Sequence, residues 1–226
     1  MAEKGCFEKG CLLKMSLSYN RRDPAAENPA LTKARQDLKN MDPDFIVQRA
    51  GLNYNQDKQL FYLTAFTNQY QVSHPGGEIS RLNSSDEPPV GLKIVLLHFL
   101  LQGNNFPLRS RDISFQEIPD AGPYAGPFKR QAIQPLVEKF GRNPELLKKS
   151  ARKLKASFIE KSDLGFTLEA LPTVPLTYLV WFGDDELKGG ASLVFDYSVI
   201  TKLPTEDISF LGEYSTELLL KFAANS

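Results

Sequence analysis

Apolar positions along the chain follow two rhythms, one near the helical period and one of strict alternation, and together they lay out the elements. Leu31 to Leu38 reads as a short helix. Asp42-Pro43 opens a clearer one, with Asp as cap and Pro at the first helical position. Phe45, Ile46, Arg49 and Ala50 follow at helical spacing, and Gly51 is the stop. Between Leu60 and Val72 the pattern becomes alternating. It predicts two strands joined by a tight hairpin at Thr67-Asn68, with Pro75-Gly76-Gly77 forcing a second turn before Ile79. Val90 to Leu101 follows Pro88-Pro89 and is apolar nearly all round, so it predicts a central, well-covered helix ending at Gly103.

The second half repeats the mixture in a different order. Ile113 to Ile118 reads as a short strand, and Pro119 to Pro127 as a turn-rich link. Phe128, Ala132, Leu136 and Phe140 form a stripe at intervals of four, in which Pro135 predicts a kink or break. Asn143-Pro144-Glu145 opens another helix, with Leu146, Leu147, Ala151, Leu154 and Phe158 on its buried face. Strands are predicted around Phe166 to Ala170, over Pro175 to Phe182 and over Leu193 to Phe195. A final helix then buries Ile208, Leu211, Ser215, Leu218, Leu219 and Phe222. Helices and strands mix without a βαβ rhythm. The fold class is therefore α+β, with an antiparallel or mixed sheet packed against several helices. Residues 1–40 read as a flexible N-terminal tail and 41–226 as a single compact domain.

Composition narrows the function classes. Lys plus Arg equals Asp plus Glu at 27 each, so the net charge is zero and gives no general pull toward nucleic acid or anionic lipid. The basic run Lys148, Lys149, Arg152, Lys153 and Lys155 has no interleaved aromatics and reads as the solvated face of a helix. No stretch has the length of a signal-peptide core or a membrane span, so the expected location is the cytoplasm, with neither membrane nor nucleic acid as partner. Cys6 and Cys11 are the only cysteines, too few for a complete zinc or iron–sulfur site within one chain. No phosphate loop, dinucleotide fingerprint or serine elbow is present.

Carboxylates are the conspicuous chemistry. Gly183-Asp184-Asp185-Glu186 separates two apolar runs, and Asp196 and Glu206-Asp207 follow. If Asp184, Asp185, Glu186, Asp196, Glu206 and Asp207 converged, their oxygens would suit Mg²⁺ or Ca²⁺. The simpler readings are a solvated turn at 184–186 and a capped helix start after Thr205. His98, in the most hydrophobic helix, is expected to donate one hydrogen bond to backbone or to a tyrosine, and it is the residue to test as a haem or corrinoid ligand. His74, beside Pro75, is expected to be exposed.

Several stretches together resemble an uncharacterised prokaryotic domain family, domain of unknown function 3786. They are Leu97-His98-Phe99-Leu100, Ile113-Ser114-Phe115 through Gly122-Pro123-Tyr124, and Pro172-Thr173-Val174-Pro175-Leu176. Trp181-Phe182-Gly183-Asp184-Asp185-Glu186, Leu193-Val194-Phe195-Asp196 and Leu203-Pro204-Thr205-Glu206-Asp207 complete the set. The resemblance covers about 42 to 219. It implies a shared fold, an anaerobic bacterial or archaeal setting and no established reaction. Some members carry a cysteine-rich iron–sulfur segment beside the domain, a pattern this chain lacks.

The leading expectation is an accessory protein of anaerobic metabolism that binds a ligand or cofactor. His98, Tyr124 and Trp181 are its candidate binding residues, and a divalent cation, haem or corrinoid its candidate cofactor. The alternatives are a metal-assisted hydrolase using the clustered carboxylates, for instance Asp185 with Glu206 as an acid–base pair, and a non-catalytic module that binds a partner protein.

Overall fold

The computed structural model describes residues 28–225. Cys6 and Cys11, with most of the expected tail, lie outside them. The end of that stretch forms α1 (Pro29–Lys39), capped by Asn28, whose side chain accepts from Ala30 and Leu31. Leu31, Ala34 and Leu38 are buried. Helix α2 (Pro43–Ala50) starts at the Asp42 cap and stops at Gly51, which adopts the left-handed conformation the stop requires.

Strands β1 (Asn53–Asn55), β2 (Leu60–Ala65), β3 (Asn68–Ser73) and β4 (Ile79–Arg81) form an antiparallel meander in chain order. The hairpin turns one residue earlier than the alternation suggests, at Phe66-Thr67, because Ala65 pairs with Asn68. Phe66 leaves the sheet to bury its ring against Tyr214, and its N–H donates to Ala170. His74 is half-buried rather than exposed: its Nε2 lies 2.9 Å from the Met41 carbonyl, and its ring packs edge-on to Tyr54 and Phe61. The Tyr54 and Phe61 rings and the Met41 carbonyl make that turn a packing site.

Helix α3 (Val90–Gln102) is buried over nearly its whole length, as its apolar circumference predicts. Its C-terminal carbonyls, which have no intrahelical donors, are met by Arg49 of α2 through the Gly103 and Leu100 oxygens. The next strand is shorter than expected. β5 spans only Asp112–Ser114, and Ser114 and Glu117 then form a capping box around a 3-10 turn. Pro119 to Pro127 is not a simple link, because helix α4 (Gly122–Phe128) forms there with Pro in its first turn, where a missing N–H costs nothing. A π-helical turn over Lys129–Ile133 joins it to α5 (Gln134–Phe140), with Gln134 donating to Lys129. Pro135 has no N–H to offer the preceding turn, and the expected irregularity takes this wider form. All four stripe residues, Phe128, Ala132, Leu136 and Phe140, are buried.

Helix α6 (Pro144–Lys153) buries Leu147 and Ala151 but not Phe158, which belongs to β6 (Ser157–Ile159) and is 39% exposed. A second antiparallel sheet combines β6, β7 (Leu164–Leu171), β8 (Val174–Trp181), β9 (Gly190–Asp196) and β5, in the order β5-β9-β8-β7-β6. Its inner face presents Phe166, Leu168, Tyr178, Leu193 and Phe195. Against it lies α7 (Thr205–Ala224), flanked by α3, α6 and the α4–α5 segment and reached by Phe66 of the first sheet. The fold is thus a compact α+β arrangement of two antiparallel sheets around a central helix.

Close approach to α7 depends on small residues. A Cβ at Gly212 would overlap the Phe128 ring, whereas one at Gly122 meets nothing within 4 Å. Gly212→Ala is therefore expected to destabilise the fold by about 1–3 kcal/mol despite its better helix propensity. Gly122→Ala should stabilise it by about 0.5 kcal/mol. Urea denaturation of both variants measures the contrast, and equal shifts would contradict the packing described.

Candidate functional site

The N-terminal turn of α7 gathers the chemistry. Thr205, expected to cap the helix, is instead its first residue, and Pro204 occupies the cap position without a side-chain hydrogen bond. The Thr205 hydroxyl donates to the Pro119 carbonyl at 2.7 Å, tying α7 to the segment before α4. Between them opens a cleft of about 430 Å³, walled by Ile118, Pro119, Ile200, Leu203, Tyr124 and Glu206, with Asp120 at its rim. Burial, and then the charge of Glu206, raise the Tyr124 hydroxyl pKa. The two residues therefore face a common space.

One residue along, Asp207 is wholly buried and its Oδ2 lies 2.7 Å from His98 Nδ1. An ionised carboxylate only accepts, so Nδ1–H is the donor and Nε2 is the nitrogen left for other chemistry. Burial works against the imidazolium, but the bond and charge of Asp207, joined by Glu206 and Asp37, outweigh it and raise the His98 pKa. His98 thus makes its expected single hydrogen bond, to a carboxylate rather than to backbone or tyrosine. The two residues lie 109 positions apart, which put the pair beyond reach of sequence spacing. His98 is not a wall of the cleft; Glu206 is the group whose charge reaches both it and Tyr124.

The remaining carboxylates lie elsewhere. Asp184, Asp185 and Glu186 occupy an exposed turn between β8 and β9. Asp184 Oδ1 accepts from the Glu186 and Leu187 N–H groups at 2.9 and 2.7 Å, and Arg142 lies 3.7 Å from Asp185. Hydrogen bonds from Leu187 and Glu186 hold the Asp184 carboxyl below its ordinary range. Trp181, 43% exposed, stands at this same end of the sheet. Asp196 closes β9 at the other end, about 20 Å away along the strand. Its Oδ1 accepts from the Arg109 and Ser198 N–H groups at 3.0 and 2.9 Å. Burial opposes its charge, but hydrogen bonds from Ser198 and Arg109 prevail and lower its pKa. Among the described residues no three His, Cys, Asp or Glu side chains come together as a metal cage. Of the residues singled out in sequence, the structure unites Tyr124, Glu206, His98 and Asp207. It leaves Trp181, the 184–186 turn and Asp196 apart.

Two clusters carried no sequence signal. Lys202 is wholly buried, and its Nζ donates to Thr173 Oγ1 at 2.7 Å and to the Phe106 carbonyl at 2.9 Å. Burial lowers its pKa, against the pull of Asp196 and Glu169. Its acceptors mark it as a clamp on two loops. The second cluster lines a further cleft, beside the C-terminal half of α7, built from Tyr70, Arg81, Tyr214, Glu217 and Lys221. In sequence Glu217 and Lys221 look like an ordinary solvated helix pair, and Arg81 like a turn residue.

The family described as Domain of unknown function (DUF3786) matches residues 42–217. No curated protein and no solved structure matches the chain.

The His98–Asp207 pair fixes a pH response. His98 has a folded pKa above its ordinary 6.5, so its contribution is complete below that value and is lost as pH rises through the folded one. The stability advantage of the unaltered chain over His98→Gln should therefore shrink as pH rises above the ordinary histidine value of 6.5, as read by urea midpoints. A constant difference would mean that the imidazole titrates alike in the folded and unfolded chain, and would contradict the raised pKa. Asp207→Ala, which leaves the half-buried imidazole without its carboxylate, should cost about 1.5–3 kcal/mol at neutral pH.

Proposed function

The chain belongs to the DUF3786 family, and from that premise we propose that it is a small-ligand-binding protein whose ligand occupies the cleft at the N-terminus of α7. The role is accessory, in anaerobic metabolism and in the cytoplasm, and one α+β domain over 41–226 carries it. The observation behind this reading is the meeting of Tyr124 and Glu206 in an apolar-walled cleft of about 430 Å³. That volume falls within the range of about 300–1,000 Å³ usual for small-molecule sites. Ile118, Ile200 and Leu203 supply apolar contact, while Tyr124, Asp120 and Glu206 orient polar groups. Among the described residues, acidic side chains and no basic one line the cleft, which favours a ligand with donors or positive charge over an anion. Behind it, His98–Asp207 holds the first turn of α7 in place.

A tetrapyrrole reading keeps one supporting observation. A carboxylate on Nδ1 is the arrangement that orients an imidazole and strengthens Nε2 as a metal ligand. The hydrolase alternative has less behind it, because the carboxylates it needs lie at opposite ends of β9.

Native mass spectrometry of protein purified without chelator, followed by thermal-shift titration with divalent cations, haem, cobalamin and small amines, tests the proposal. A ligand at a hundred times its Kd should stabilise the fold by about 2.7 kcal/mol. Glu206→Gln or Tyr124→Phe should weaken that ligand about tenfold, the loss of roughly one charge-assisted hydrogen bond. No retained molecule and no shift with any probe would refute the proposal.

A further inference from the structure

The second cleft lies at the other end of α7 and does not depend on the first. It measures about 520 Å³ and runs between the β3–β4 hairpin, the loop before α3 and the last turns of α7. Leu154, Leu218, Phe222 and Pro88 give it apolar lining. Charges of both signs line it as well, Arg81 and Lys221 with Asp86, Glu87 and Glu217. Arg81 is held by Asn68 Oδ1 through Nη2, so its guanidinium is positioned before any ligand arrives. Its other contact is loose: Asp86 lies 3.7 Å from Nη1 and is 81% exposed. A ligand carboxylate can displace it.

Glu217 is crowded by surrounding protein yet remains accessible, which places it on a concave wall. Burial raises its carboxyl pKa, and Lys221 only partly offsets this. Among the described residues it has no salt bridge. Arg81 and Glu217 both act on the Tyr214 hydroxyl. Burial, Tyr70 and Glu217 push its pKa up and Arg81 pulls it down. The phenol, Arg81 and Glu217 all line this one cleft, so a ligand in it meets a cation and a carboxylate together. Tyr214 itself is fixed by stacking on Phe210 and edge contact with Phe66.

We propose that this cleft binds a small zwitterion with an apolar side chain, of the α-amino-acid class, its carboxylate on Arg81 and its ammonium on Glu217. A lone anion would satisfy Arg81 and leave Glu217 repelled. A lone cation would do the reverse. A molecule carrying both charged groups on one carbon, with an apolar body against Leu218 and Phe222, matches the lining.

Phenylalanine, phenylpropionate and phenethylamine separate the two charges and serve as probes in titration calorimetry and in ¹⁵N chemical-shift mapping of the full chain. Phenylalanine should bind at least tenfold more tightly than either single-charge analogue. Arg81→Gln should weaken phenylalanine about tenfold and leave phenethylamine unchanged. Glu217→Gln should weaken phenylalanine and leave phenylpropionate equal or tighter. Glu206→Gln, in the other cleft, should change none of these, so failure of one site is distinguishable from failure of the other. Circular dichroism checks each fold, and Glu217→Gln, on an accessible helix face, keeps the test open if Arg81→Gln does not fold. Absence of phenylalanine binding, or full affinity in a folded Arg81→Gln or Glu217→Gln variant, overturns the proposal.

Discussion

Helix α7 is enclosed on most of its circumference, and each polar group it carries inward must find a partner there. Tyr178, buried in the middle of the second sheet, meets Ser215 and Thr216 with its hydroxyl at 2.5 and 2.9 Å. Thr216 in turn donates to the Ala132 carbonyl in the π-helical turn, where the backbone ladder is irregular. Asp207 meets His98, and Ser209 meets Glu213. Leaving such a group unmatched costs about 1–3 kcal/mol each, comparable to a sizeable share of a domain's total stability. The position and rotation of α7 are therefore set by hydrogen-bond geometry as well as by apolar packing.

That placement puts both clefts at the ends of one rigid element. At the N-terminus α7 emerges from Pro204 against the Pro119 segment, and near the C-terminus it passes the β3–β4 hairpin. Cleft walls built on helices packed this densely move little, which favours preorganised binding over induced closure. The buried Lys202 has a similar office at the far end of the second sheet. With Asp196 fixing the Arg109 backbone, it holds the 104–109 loop and the β7–β8 turn on a common anchor.

The charge distribution fits this division. A chain with net charge zero has no long-range field to attract a partner. Its chemistry depends on local placement: two carboxylates and a phenol at one cleft, and cations, carboxylates and two phenols together at the other. The most acidic run, Asp184 to Glu186, is satisfied by its own turn and by Arg142.

The sequence by itself determined whatever depends on neighbours along the chain. The caps at Asn143 and Asp42, the stop at Gly51, the near-complete burial of α3, the irregularity at Pro135 and the existence of β8 all follow from local periodicity and backbone chemistry. It also marked Tyr124, His98, Glu206 and Asp207 as residues of interest. Only the tertiary structure decided which of them meet. Asp207 lies as close in sequence to Asp196 as to Leu218, yet its partner comes from α3, because antiparallel packing of helices is a long-range choice that spacing does not encode. Phe66, Phe158 and the α4 helix departed from the local pattern for the same reason. A buried ring or a helix start can be stabilised by contacts that lie a hundred residues away, and those contacts exceed the fraction of a kcal/mol by which local propensities differ.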